Sequence, residues 1–569
     1  AELLKGKKCV AKEQQKELAQ RLGEFDWSQG VGPKLKQILM RGIGVHHAGV
    51  LPRYRRIVEE LFQEKLLSVC VCTETLAAGI NLPARSVILP TLLKGPRGKL
   101  KVIEASSAHQ MFGRAGRPQF DDRGYVFALP HEDDVKILKW KEKYDAIPDD
   151  TKDPGLRKAK KALKKKQPKR KEGQQYWTQQ QFETLIDAPS ADLASRGPLP
   201  WRLLVYMLDA SPKVELIRRL IAGRLLIPKE RPAAQKNLNR QLITLWRGGY
   251  LTLNPKPPLG LAPDRSHTDE SSAENKNPDL DQDPNSNDRL PVESEASTSS
   301  SLVLDLGQRN IPDKSLPTDL ALNPSKKTSN LKSDLLAEYK PDEAIPTEKM
   351  ADLLKLRGVH PLYALFLMNH LGIADRNERI MAFESILEMS KSVGKAIRIP
   401  KPDILPPGPL ATTRLDSQLL KLGLATAEEL GDKKDEDEDS HKGYYDEDEF
   451  VPILTLPYKL LRLFEYDFPG VQDVRITPVW VVGEVLQFGT DFNKYITSHK
   501  LQKQEGIVFR HLLRFILLID EMAQLCPPDV SHEQWQDDLF AIADQLEEIC
   551  RFADPQSTDQ WLADTRGDQ

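Results

Sequence analysis

Arg114 and Arg117 stand three apart in the run Gln110-Met111-Phe112-Gly113-Arg114-Ala115-Gly116-Arg117. Guanidinium groups stay charged and meet phosphate oxygens in a fork. Glycines such as Gly113 let the backbone N–H groups come close to the same negative charge. Alone, such a loop reads equally well as a basic turn. The run at residues 73–84, Thr-Glu-Thr-Leu-Ala-Ala-Gly-Ile-Asn-Leu-Pro-Ala, makes it more specific. Thr73 and Thr75 supply hydroxyls, Gly79 admits a ligand, and Asn81 can bond a ribose or a partner loop. The apolar stretch Ser68-Val69-Cys70-Val71-Cys72 directly precedes it. Ligands of open α/β sheets bind at strand ends.

The elements that must position these runs alternate. Helical patterns at residues 11–22, 34–41 and 52–64 are followed by a continuous apolar run at 68–72, which predicts a buried parallel strand. Residues 85–89 and 124–129 read as two more strands, with a short helix at 106–112 leading into the Gly-Arg loop. The alternation predicts a parallel sheet with helices on both faces. Ile57, Val58, Leu61 and Phe62 form the expected apolar face of the third helix.

At 569 residues the chain has room for several domains. Its net charge of -2 hides segregation: a basic run at 152–171 includes Lys164 and Lys165, and an acidic tract fills 432–449. The basic run is either a solvated tether or a clamp on a nucleic-acid backbone, and the neighbouring motifs favour the clamp. Five cysteines make no disulfide framework. Cys70 and Cys72 read as reduced core residues; no second cluster exists to complete a zinc site, so no metal is expected from them. Reduced thiols point to an intracellular, cytoplasmic setting. No window approaches the roughly 20 apolar residues of a membrane span.

Domain boundaries follow from composition. Residues 1–135 are expected to form the α/β lobe and 136–196 a basic linker. Residues 197–254 are expected to form a winged helix carrying Arg240 on its third helix. Residues 255–330, rich in Pro, Asn, Asp and Ser, read as a disordered insertion. A helical domain at 331–430, an acidic linker at 431–450 and a C-terminal helical domain at 451–569 complete the chain. The helix at 361–371 is apolar all round and should be buried. His360 and His370 there read as capping and core residues.

Residues 73–84 and 110–117, together with His46-His47-Ala48-Gly49, resemble the second RecA-like lobe of superfamily 2 helicases, in the Ski-type group of DExH-box helicases. The likeness covers residues 1 to about 130, loosens through the winged helix, and returns at Glu505-Gly506 with Arg510 and Arg514. The resemblance implies an ATP-dependent nucleic-acid helicase, with RNA favoured over DNA. It implies Arg114 and Arg117 at the γ-phosphate of ATP, with Arg117 the arginine finger, and Gln110 orienting the nucleotide or the attacking water. Gly79, Asn81 and Gly113 would border the nucleotide. Thr73, His47 and Gly49 would hold the nucleic-acid backbone, helped by Arg240, Lys164 and Lys165.

The sequence departs from this pattern in lacking a G-x-x-x-x-G-K-[ST] phosphate loop. No acidic box precedes Thr73, and the lobe's first strand is not seen. The expectation is a chain that begins inside a domain and hydrolyses ATP only with a first RecA-like lobe, which would also supply the Mg2+ ligands. Partners implied are RNA (or DNA), that first lobe, and RNA-degradation factors. Two rivals stand beside this reading: a DNA repair helicase of the same group, and a non-catalytic nucleic-acid-binding or scaffold protein using the winged helix and basic run.

Overall fold

The computed structural model describes residues 9–73, 84–96, 98–117, 121–148, 153–190, 193–195, 197–258, 339–431, 452–489 and 491–566. They divide into two compact units. The first comprises Ala1–Leu193, Thr490–Arg510 and Ile549–Gln569; the second comprises Ala194–Gly489 and His511–Glu548. The C-terminal helical domain expected at 451–569 is therefore shared between the two units. The expected insertion at 255–330 and linker at 431–450 lie almost wholly outside the described residues.

In the first unit, helix α1 (Lys12–Gly23) buries Leu18 and Leu22, and α2 (Gly32–Leu39) buries Leu35 and Leu39. Helix α3 (Pro52–Gln63) starts at a proline, whose fixed φ and missing N–H suit a first turn. It buries Tyr54, Ile57, Val58 and Leu61. Tyr54 stacks on Trp27 with ring centroids 5.4 Å apart. Strand β1 (Ile43–His46) pairs in parallel with β2 (Val69–Cys72), with Ile43 opposite Val69 and His46 opposite Cys72.

A second parallel pair joins β3 (Ser86–Leu89) to β6 (Tyr125–Ala128), and β4 (Leu93–Lys94) and β5 (Lys101–Val102) form a short antiparallel ladder. Helix α4 (Ala105–Phe112) follows β5. One face of β3–β6, carrying Val87, Leu89, Val126 and Ala128, packs with Ala108, Met111 and Phe112 of α4.

The same core corrects the reading of residues 136–196 as a linker. Helices α5 (Glu132–Asp145), α6 (Pro154–Lys165) and α7 (Gln179–Asp187) occupy most of that stretch. Thr178 and Gln181 cap α7 reciprocally. Phe182 and Leu185 then complete the core under β3–β6. The Trp140 indole N–H donates to the Leu163 carbonyl at 2.8 Å and ties α5 to α6.

The strands are less buried than their apolar runs predict. Strand β2 is half-buried to exposed, and Cys72 is exposed rather than a core residue. Ile88, Tyr125 and Phe127 are 60%, 44% and 51% exposed, so among the described residues helices cover only one face of β3–β6. Alternate strand residues point to opposite faces, which is why Val126 is packed and its neighbours are not.

In the second unit, helices Trp201–Ala210, Val214–Gly223 and Arg231–Arg247 precede β7 (Leu251–Asn254). The partner of β7 is β8 (Glu343–Pro346), antiparallel, with Leu251 opposite Pro346. The region expected to be helical from 331 thus contributes a strand to the module expected to end at 254. Helix Pro361–Met368 buries nearly every residue, as its all-round apolar sequence predicts. His360 caps it by accepting the Tyr363 N–H, and a His370 ring nitrogen bonds the Phe366 carbonyl at 2.9 Å.

Candidate nucleotide and nucleic-acid site

The Gly-Arg loop leaves the C-terminal end of α4. Gln110, in its last turn, is exposed, as is Gly113, whose N–H closes the helix on the His109 carbonyl at 2.8 Å. Gly113 keeps a helical φ of -65°, whereas Gly116, at +90°, makes the turn only glycine adopts readily. The loop is pinned at Ala84, the last residue of the 73–84 run. The Ala84 N–H donates to the Arg114 carbonyl at 2.9 Å, and the Gly116 N–H donates to the Ala84 carbonyl at 2.8 Å. The end of one motif and the middle of the other therefore form a single parallel bridge, Ala84 to Ala115. Gly124 packs so closely behind it that a Cβ there would lie 2.4 Å from the Ala115 carbonyl carbon.

Arg114 and Arg117 are both half-buried. Arg117 faces Asp121, which sequence reasoning did not single out. Its Nε donates to one Asp121 carboxylate oxygen at 2.7 Å and its Nη2 to the other at 2.8 Å, while its backbone N–H reaches the first at 3.1 Å. Bonding to Arg117 holds the Asp121 carboxyl down at about 2. The same bonds raise the guanidinium above its ordinary value. The only sequence signal for Asp121 was an acid four residues after a motif arginine. Gly79 and Asn81 lie outside the described residues.

Thr73 follows β2 directly and is exposed. The turn after β1 carries His47 and Gly49. The Gly49 N–H donates to His47 Nδ1 at 3.0 Å, which leaves the ring proton on Nε2. Burial, helped by the charges of His46 and Arg55, lowers the pKa of His47, so it is neutral at pH 7. His46 is buried, with Nε2 2.6 Å from a Glu59 carboxylate oxygen. The turn thus offers a neutral imidazole N–H donor rather than a cation.

Lys164 and Lys165 are exposed at the end of α6. Helix α6 is capped by Asp153, which accepts the Gly155 N–H at 2.7 Å, and leaves Lys158, Lys161, Lys164 and Lys165 exposed, while Lys160 turns inward to the Ile147 carbonyl and the Tyr144 ring. Arg240, in the second unit, is engaged internally: Nη1 donates to Gln472 at 2.9 Å and Nη2 to Asn237 at 2.6 Å. Among the described residues no helix is long and apolar enough to cross a membrane.

Residues 13–119 match the family described as the helicase conserved C-terminal domain. The DExH-box ATP-dependent RNA helicase DExH15 of Arabidopsis thaliana is 41% identical over 110 residues, 19% of this chain and 9% of that protein. The ATP-dependent RNA helicase mtr4 of Schizosaccharomyces pombe is 43% identical over 95 residues, 17% of this chain and 8% of its own length. The antiviral helicase SKI2 of Saccharomyces cerevisiae is 36% identical over 115 residues, 20% and 9% of the two chains. The aligned stretch is under a tenth of each of these relatives. The family match at residues 13–119 includes β1, β2, α4, the Ala84 bridge and both arginines. Residues 13–119 of this chain match the helicase conserved C-terminal domain and are similar to a part of these helicases.

Proposed function

We propose that this chain is the C-terminal part of an ATP-dependent helicase acting on RNA, supplying the arginine finger and part of the strand-binding surface. The observation that carries this reading is the Ala84 bridge, which joins the end of the 73–84 run to the 114–116 segment of the Gly-Arg loop inside the helicase-like stretch. Arg117, with Arg114 beside it, stabilises the charge that develops on the γ-phosphate during hydrolysis. Gln110 orients the nucleotide or the attacking water, and Gly113, Gly79 and Asn81 border the nucleotide. A first RecA-like lobe supplies the phosphate loop and the Mg2+ ligands. RNA is preferred to DNA because the names of two of these relatives specify RNA.

Thr73 and His47 hold the RNA backbone by hydroxyl and imidazole Nε2–H, and Gly49 shapes the turn, its N–H being spent on His47 Nδ1. Lys164 and Lys165 add affinity without sequence choice. The three helices and β7–β8 ladder of the second unit support a winged helix that guides the strand, with Arg240 braced within it. RNA-degradation factors are the partners that the Ski-type resemblance of the motif runs implies, and cysteines outside any disulfide suit a reducing cytoplasm.

The test uses a protein that includes the first lobe. Arg117→Ala should lower kcat for RNA-stimulated ATP hydrolysis by about 10³-fold, while RNA binding persists. Unchanged hydrolysis would refute the finger. The 569 residues by themselves contain no G-x-x-x-x-G-K-[ST] run and should bind RNA without hydrolysing ATP. Robust RNA-stimulated hydrolysis by this chain would sink that half of the proposal.

A further inference from the structure

The turn that carries His47 and Gly49 is fastened from a point more than 450 residues further along the chain. The Gly506 N–H, in the first turn of helix Glu505–Met522, donates to the Gly49 carbonyl at 2.9 Å. Arg510, one turn on, donates from Nη2 to the Ala48 carbonyl at 3.1 Å and from Nε to the Gly506 carbonyl at 3.3 Å. Glu505 is 1% exposed, and one of its carboxylate oxygens accepts the Val31 N–H at 3.0 Å. Asn493 Oδ1 accepts the adjacent Gly30 N–H at 2.8 Å.

The approach of the two backbones leaves no room for a side chain on either. A Cβ at Gly49 would lie 2.0 Å from the Lys503 carbonyl oxygen. One at Gly506 would lie 2.2 Å from the Val50 carbonyl oxygen and 2.9 Å from that of Ala48. Each obstacle is backbone, so no side-chain rotation relieves it. A helix start needs only a polar cap for its N–H groups. Here the helix instead spends its second N–H and an arginine on the carbonyls of one short turn. The bonds to Ala48 and Gly49 hold the turn through its carbonyls, and the Gly49 N–H to His47 Nδ1 bond fixes the tautomer that presents Nε2–H.

We propose that Gly506 and Arg510 are positioning residues for the His47–Gly49 turn, so that its affinity for an RNA backbone depends on the start of this C-terminal helix. The proposal rests on the reading of that turn as an RNA contact. Gly506 and Arg510 act through the turn and need not touch RNA.

The experiment measures the Kd of the full chain for a fluorescein-labelled single-stranded oligouridine by anisotropy. His47→Ala should weaken binding about tenfold, the value of one hydrogen bond to phosphate. Gly506→Ala and Arg510→Lys, which leave the charge unaltered, should weaken it by a similar factor. Combined with His47→Ala, neither should weaken it further, because the contact they position is already gone. A role in packing alone would lower Tm and leave these losses additive. If His47→Ala binds like the parent, the RNA-contact reading of the turn fails. If His47→Ala is weakened but Gly506→Ala and Arg510→Lys bind like the parent, or their losses add to it, the positioning role is overturned. Should Gly506→Ala fail to fold, Arg510→Lys, which keeps the glycine and the charge while altering the bonds to the Ala48 and Gly506 carbonyls, decides the matter by the same criteria.

Discussion

At Arg117 the guanidinium plane lies along the Asp121 carboxylate, and two of its five N–H donors are spent there. A two-pronged pair of this kind fixes a long side chain in one rotamer, which is what a finger acting at a developing charge requires. With the Asp121 carboxyl at about 2 and the guanidinium raised, both groups stay ionised through the neutral range. The pairing is therefore independent of physiological pH. In a protein that includes the first lobe, Asp121→Asn should cut kcat for ATP hydrolysis by roughly tenfold with KM for ATP little changed. A rise in KM at constant kcat would mean that Asp121 serves binding instead. Arg117 was legible in the sequence because guanidinium chemistry and glycine spacing mark it. Asp121 was not, because its role depends on a turn that returns its own N–H to the Arg117 carbonyl at 3.1 Å. The sequence singled out His47 by type and motif, but not the lowering of its pKa, which burial sets.

Among elements, the start of helix Glu505–Met522 sets two effects against each other. A helix N-terminus favours a carboxylate, as do the N–H groups of Val31 and Leu51 and the nearby Arg53. Burial opposes all of these and wins, lifting the Glu505 carboxyl to about 7 from its ordinary 4.5. Between those values the folded chain holds a proton that the unfolded chain has released. Stability is therefore highest below pH 4.5 on this account and falls as pH rises through 7. The span amounts to up to about 3 kcal/mol at roughly 1.36 kcal/mol per pH unit. Glu505→Gln carries no such proton. The difference in unfolding free energy between parent and variant, measured in urea at pH 5 and pH 8, should shrink by up to that amount at the higher pH. A constant difference would show that Glu505 is ionised throughout. The sequence marked Glu505-Gly506 by resemblance, predicted α3 from its apolar face, and placed a short helix before the Gly-Arg loop. It overstated the burial of β2, β3 and β6. An apolar run reports what a strand could bury, whereas coverage depends on elements remote in sequence, such as α7.

For the molecule as a whole, the two compact units are not contiguous in sequence. Residues 490–510 and 549–569 belong with the first 193 residues, a grouping that local composition cannot reveal. Nor could it reveal that β7 pairs with β8, whose register sets Asn254 opposite Glu343. Charge segregation, by contrast, was fully legible. The exposed lysines of α6 follow from a run with too few apolar residues to bury more than one narrow face. That helix is held by Trp140 to α5, so its lysines are presented from a fixed support rather than a loose tether. Each lysine that neutralises an RNA phosphate releases a counterion, and log Kd then varies with log salt by about 0.7 per contact on a single strand. Lys164→Gln with Lys165→Gln should therefore lower the salt slope of oligouridine binding by up to about 1.4, weakening all sequences equally. Affinity loss without a change of slope would assign these lysines to folding. An unchanged affinity and slope would make α6 a solvated spacer and leave the His47–Gly49 turn and Thr73 to hold the strand.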